Sequence, residues 1–186
     1  MRIEIRDFVA PEEIRRDLIN ALGLKQAAVV DTVEIGLLDT LAQPVGTLLK
    51  EAGLKDGSVL AIGWGPAVRG VICAGLPRIP GVIMVPARGG IPQAAPHFQI
   101  NAFVRQAAEQ LGGVPKFIFA PYLPATQYRD AFMSEPAVRE LIALWDRIDV
   151  ALVGVGLPHT VDPIHAGTVT SSERALAPVV GDVIRH

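Results

Sequence analysis

The chain has 186 residues, half of them hydrophobic, with 17 basic and 19 acidic side chains and a formal charge of -2. That length buries one substantial core and is short for two ordinary domains, and scattered basic residues at near-neutral charge exclude a DNA-holding face within this stretch. A lone cysteine, Cys73, excludes an internal disulfide, no charged segment followed by an apolar one opens the sequence, and apolar runs such as 150–156 fall far below the roughly 20 residues of a membrane span. A soluble, cytoplasmic protein with a mean hydropathy of +0.37 is expected.

In chain order, short β-branched or apolar runs alternate with longer segments of helical period. Strands are expected over 2–5, 27–31, 59–63, 81–86, 116–120 and 150–155. Between them, helices are expected over 11–22, 37–52, 66–74, 98–111, 127–134 with 137–147, and a last one from Ser172. Pro11 with Glu12 and Glu13 marks a first turn, and Gly23, Gly53 and Gly112 stand just past helix ends. The βαβα order implies an α/β domain, a Rossmann-like parallel sheet with helices on both faces. The continuous apolarity of 59–63 and 150–155 suits strands covered on both sides. Loops rich in Pro and Gly at 87–96, 121–126 and 156–167 follow strands and so gather at the carboxyl edge of the sheet, where open parallel sheets bind ligands.

Four segments carry candidate chemistry. Gly63-Trp64-Gly65-Pro66-Ala67 leads from a strand into a helix, so its N–H groups and the helix dipole either cradle a phosphate or simply make a tight turn. Arg88-Gly89-Gly90 ends the next strand, where a guanidinium either grips a phosphate through two parallel bonds or pairs with a carboxylate. Gln99 and Asn101, after His97, either bond sugar hydroxyls or cap the following helix. The segment 149–156 runs into Gly154 and Gly156, which permit close approach of a ligand or a turn. Asp182, in an apolar surround, serves either a site or a local turn.

Catalytic sets do not assemble from this sequence. The four histidines lack metal-ligand spacing with one another or with Cys73, which sits in the apolar run 71–74 and is expected to be a small buried side chain. Glu135 and Glu140 are expected as surface charge on a solvent-facing helix.

Taken in series, Leu54-Lys-Asp-Gly-Ser-Val-Leu-Ala-Ile-Gly-Trp-Gly, Val85-Pro-Ala-Arg-Gly-Gly with Gln99 and Asn101, Asp149-Val-Ala-Leu-Val-Gly-Val-Gly and Val180-Gly-Asp-Val resemble the sugar-binding domain of SorC/DeoR-type bacterial transcription regulators. The second segment is most like the regulators of central glycolytic genes. The resemblance implies a fold shared with sugar-phosphate isomerases and a phosphorylated sugar as effector. It implies a homo-oligomer, dimer or tetramer, no cofactor, and DNA contact only through a helix-turn-helix domain outside this chain. Carried over by position, the 63–67 turn and Arg88 with Gly89 take phosphate, Gln99 and Asn101 the sugar, Gly156 lines the ligand, Asp182 binds a hydroxyl, and His165 stands near an arginine of the family. Pro66 and Ala67 occupy places where the family usually has Thr or Ser. Residues 1–186 are then an effector domain whose carboxyl-terminal part is cut short, with an unpaired strand near Val150 and a tendency to self-associate. The alternative is a sugar-phosphate isomerase-like enzyme of the same fold, which needs a carboxylate base and usually a lysine by the phosphate. Of Lys25, Lys50, Lys55 and Lys116, only Lys116 begins a strand, and it does so away from the ligand edge.

Overall fold

Strand β1 (Val59–Ile62) is the centre of the architecture: its four apolar residues are fully buried, Leu60 and Ile62 toward one face, Val59 and Ala61 toward the other. A computed structural model describes residues 11–30, 39–91, 99–122, 124–156 and 180–181. Four parallel strands run in the order β3 (Val114–Pro115), β2 (Ile83–Pro86), β1 and β4 (Ile148–Leu152). On one face, α2 (Ala42–Glu51), α3 (Pro66–Ala74) and α4 (Ile100–Leu111) close a core built on Leu49, Leu60, Ile72, Met84, Phe103 and Leu111. On the other, α6 (Pro136–Trp145) lays Leu141, Leu144 and Trp145 against Val59, Ala61 and Val85. Burying an aliphatic or aromatic side chain of this size stabilises the fold by about 1.5–3 kcal/mol.

The connections create a switch in direction at β1. Through α3, the chain passes from β1 to β2 across one face, whereas β4 arrives from α6 on the opposite face and pairs with the other side of β1. The carboxyl ends of β1 and β4 thus lie side by side at a change of winding direction, the place where open parallel sheets bind ligands. Asp149 secures this junction: its Oδ2 accepts from the Val59 N–H at 2.8 Å, where the β1–β4 register shifts between Val59 and Leu60.

Helices α1 (Pro11–Leu22) and α3 match the expected bounds, with proline at the start and Gly23 (φ 63°) or Gly75 (φ 120°) beyond the end. The expected helix over 37–52 is a 3-10 turn (Asp39–Leu41) leading into α2, and those expected over 127–134 and 137–147 are α5 (Thr126–Ser134) and α6, which meet at Glu135 before Pro136. Other expectations are corrected. Residues 27–30 form no strand. The strand expected over 116–120 pairs instead at Val114–Pro115, and Ile118 bonds a side chain rather than a neighbouring strand. Strand β4 alternates rather than being covered on both faces: Val150 and Leu152 pack inward, while Asp149 and Ala151 are exposed. Cys73 is exposed, because α3 turns Val68, Val71 and Ile72 to the sheet. The strand over 2–5 and the helix from Ser172 lie outside the described residues.

Candidate functional site

At the carboxyl edge, backbone bonds hold the ends of three strands level. Gly63 N–H donates to the Leu152 carbonyl at 2.8 Å, and Ala87 N–H to that of Ile62 at 2.8 Å. From there the β1 chain turns through Gly65 (φ 139°, ψ 166°), a conformation essentially reserved for glycine, and enters α3 at Pro66. No side chain caps α3. The N–H groups of Ala67 and Val68 thus stand at the positive end of the helix dipole on this edge of the sheet. Gly154, after β4, approaches the same turn: a Cβ there would lie 3.9 Å from the Trp64 carbonyl oxygen.

Arg88 follows β2 and is 7% exposed, alone among charged residues in being buried among the described residues. Its guanidinium carbon lies 3.7 Å from the centroid of the Tyr122 ring and 5.3 Å from that of Trp64. Desolvating a guanidinium is costly, and aromatic faces within about 6 Å return part of that cost. The contact depends on how two loops meet. Gly90 N–H donates to the Ala120 carbonyl at 2.9 Å, and Tyr122 N–H to the Gly90 carbonyl at 2.8 Å, so the loops after β2 and β3 form a short parallel bridge. Gly89 makes this approach possible, since a Cβ on it would stand 2.6 Å from the Pro121 and Tyr122 backbone.

Beyond Gly90 lies an open cavity of about 270 Å³, lined by Gln99, Asn101, Ile118, Phe119 and Pro121 among others. Gln99 is the residue before α4, but its side chain makes no capping bond; its Nε2 donates to the Ile91 carbonyl at 3.1 Å. Asn101, which also lines the cavity, does not cap the helix. Its Nδ2 donates to the Ile118 carbonyl at 2.8 Å, and its Oδ1 accepts from the Ile118 N–H at 3.1 Å, so both ends of the amide tie the β3 loop to α4.

The structure thus brings Gly63, Trp64, Gly65, Ala67, Arg88 and Gly89 together, with Gln99 farther along the same edge. Gly156 lies on β5 (Val155–Gly156), which pairs antiparallel with β6 (Val180–Gly181). His165 and Asp182 lie outside the described residues. Lys116 pairs with Glu140 at 3.0 Å on the surface near α6. Tyr122 was missed from sequence; the available signal was an aromatic in a Pro-rich loop after a strand.

Residues 6–184 match the family model described as "Putative sugar-binding domain". A curated relative, the sorbitol operon regulator of Klebsiella pneumoniae, is 29% identical over 91% of this chain and 57% of its own length. The crystal structure of full-length sorbitol operon regulator SorC from the same organism superposes with a TM-score of 0.79 at 28% identity, covering 99% of this chain and 63% of that one. The chain belongs to the SorC/DeoR-type sugar-binding domain family. A DeoR family transcriptional regulator from Listeria monocytogenes also aligns, with a TM-score of 0.71 at 25% identity over 92% of this chain and 70% of the other. This SorC/DeoR-type domain spans 57% of the curated relative's length. The family is one of ligand-sensing domains of transcription regulators, which overturns the alternative of an isomerase-like enzyme. No helix among the described residues is long and apolar enough to cross a membrane.

Proposed function

We propose that this SorC/DeoR-type domain senses a phosphorylated sugar at the carboxyl edge of its sheet and that occupancy controls DNA binding by a longer regulator. The observation that carries this reading is Arg88, an arginine buried at the ligand edge between the β1 turn and the β3 loop. The α3 amino terminus and Arg88 supply positive potential for phosphate, Gly65 and Gly89 allow backbone approach, and Gln99 faces the sugar. Gly156, His165 and Asp182 complete the effector set by family position. Asn101 is left to its role as a tether. DNA is contacted through a helix-turn-helix domain outside these residues, the protein acts in the cytoplasm as a homo-oligomer, and the domain itself performs no turnover.

Because a curated relative regulates a sorbitol operon, sorbitol 6-phosphate and free sorbitol form a suitable calorimetric pair. Arg88→Ala should weaken phosphorylated ligand by about 1.5–3 kcal/mol, the worth of a charge-assisted bond, and leave the free polyol little changed. Equal losses for both would remove Arg88 as the phosphate contact. Product formation from a panel of sugar phosphates, followed by NMR, would sink the sensing role.

A further inference from the structure

Resting on that reading of Arg88, we propose that Tyr122 is a positioning residue that lays the guanidinium flat, so that the site takes an oxyanion edge-on through two parallel N–H···O bonds. At 3.7 Å, the separation of Arg88 Cζ from the Tyr122 ring centroid is the thickness of two stacked π-systems. An N–H aimed into the ring would hold that carbon farther away. The guanidinium therefore lies parallel to the ring, and its five donors radiate in the plane. Trp64, 5.3 Å away, adds a second aromatic surface to the same cation.

Tyr122 cannot drift from this post without opening the loops. Its own N–H is bonded to the Gly90 carbonyl, Gly90 N–H to Ala120, and the backbone of Pro121 sits against the bare Cα of Gly89. The Tyr122 main chain is thus tied to the residues that follow Arg88, which keeps its ring within reach of the guanidinium. A fork of donors held in one plane matches a group that presents two oxygens in that plane, a phosphomonoester or the carboxylate of a sugar acid, and discriminates against a neutral hydroxyl.

The test uses the protein with Tyr122→Phe, Tyr122→Leu and Arg88→Lys. NMR of the Arg88 Nε–Hε signal without ligand reads the stacking, and calorimetry with sorbitol 6-phosphate, gluconate and sorbitol reads its effect. Tyr122→Phe should behave as the parent. Tyr122→Leu should remove the ring-current shift and weaken the anionic ligands by about tenfold, within the span of a desolvated cation–π contact, with sorbitol unchanged. Arg88→Lys, which keeps the charge without the fork, should lose nearly as much as Arg88→Ala. Tighter binding of gluconate than of the phosphate would assign the carboxylate as the oxyanion. If Tyr122→Leu loses the shift yet binds anions as the parent does, or Arg88→Lys retains affinity, positioning by Tyr122 is overturned while anion sensing stands. Should the parent bind neither anion, the sensing role fails and this proposal with it.

Discussion

Replacing Gly89 with alanine isolates the contact on which the Arg88 environment is built. A Cβ there would stand 2.6 Å from Pro121 C, Pro121 O and Tyr122 N, all main-chain atoms that no rotamer change can move. The loops must separate, and such overpacking costs about 1–3 kcal/mol. Separation also stretches the Gly90–Ala120 and Tyr122–Gly90 bonds, each contributing about 1 kcal/mol. Alanine narrows the unfolded ensemble by about 0.4–1 kcal/mol. The net expectation is a loss of about 2–4 kcal/mol. Gly90 is the internal control: its nearest neighbours to a Cβ are 3.9 Å away and its φ is not positive, so Gly90→Ala should stay within about 0.5 kcal/mol of the parent. Urea unfolding followed by the fluorescence of Trp64 and Trp145 measures both. Equal midpoints for the two variants would refute the steric account of the loop bridge.

Asn101→Leu should destabilise the protein by about 2–4 kcal/mol in the same assay, because it strands the N–H and carbonyl of Ile118, a residue only 6% exposed. Asp149→Ala should cost about 1–3 kcal/mol by leaving the Val59 N–H unbonded in a fully buried strand; a melt unchanged from the parent would remove the carboxylate from the β1–β4 junction. At the exposed start of α1, hydrogen bonding by Arg15 holds the Glu12 carboxyl below its ordinary value. The pair's support of the helix is therefore present above the unfolded-state pKa and lost as pH falls through the folded one. A carboxyl NMR titration should find the Glu12 midpoint returned upward in Arg15→Gln.

Helices were legible wherever proline and glycine punctuated them, as at both ends of α1 and α3. The central strand was legible because nothing but apolar side chains survives burial on both faces. Strand β4 misled for a related reason: apolarity over 150–155 is compatible with double cover, yet Ala151 is exposed and Val153 is 43% exposed, while Val150 and Leu152 alone reach the core. The β3 loop could not be read locally, since Ile118 finds its hydrogen bonds on an asparagine 17 residues away. The site divides in the same way. Arg88 and the 63–67 turn announce themselves by standing after strands, whereas the pairing of Arg88 with Tyr122 exists only because two loops from neighbouring strands touch. The role of Gly89 belongs to that same tertiary contact.

The strand order also sets a sequence of events in time. Strands β1, β2 and β3 are consecutive in the chain and adjacent in the sheet, each joined to the next by one intervening helix. Strand β4 must return across a far longer span, with Asp149 meeting Val59 at a separation of 90 residues. Closing that larger loop has the greater entropic cost, so the three-strand unit should assemble first and β4 dock afterwards. The junction where Gly154, after β4, meets the β1 turn comes into being only with that last step. A ligand held at this carboxyl edge meets an unfinished edge during folding and a complete one only in the native state. Its stabilisation should therefore appear almost wholly as slower unfolding, with the refolding rate nearly unchanged.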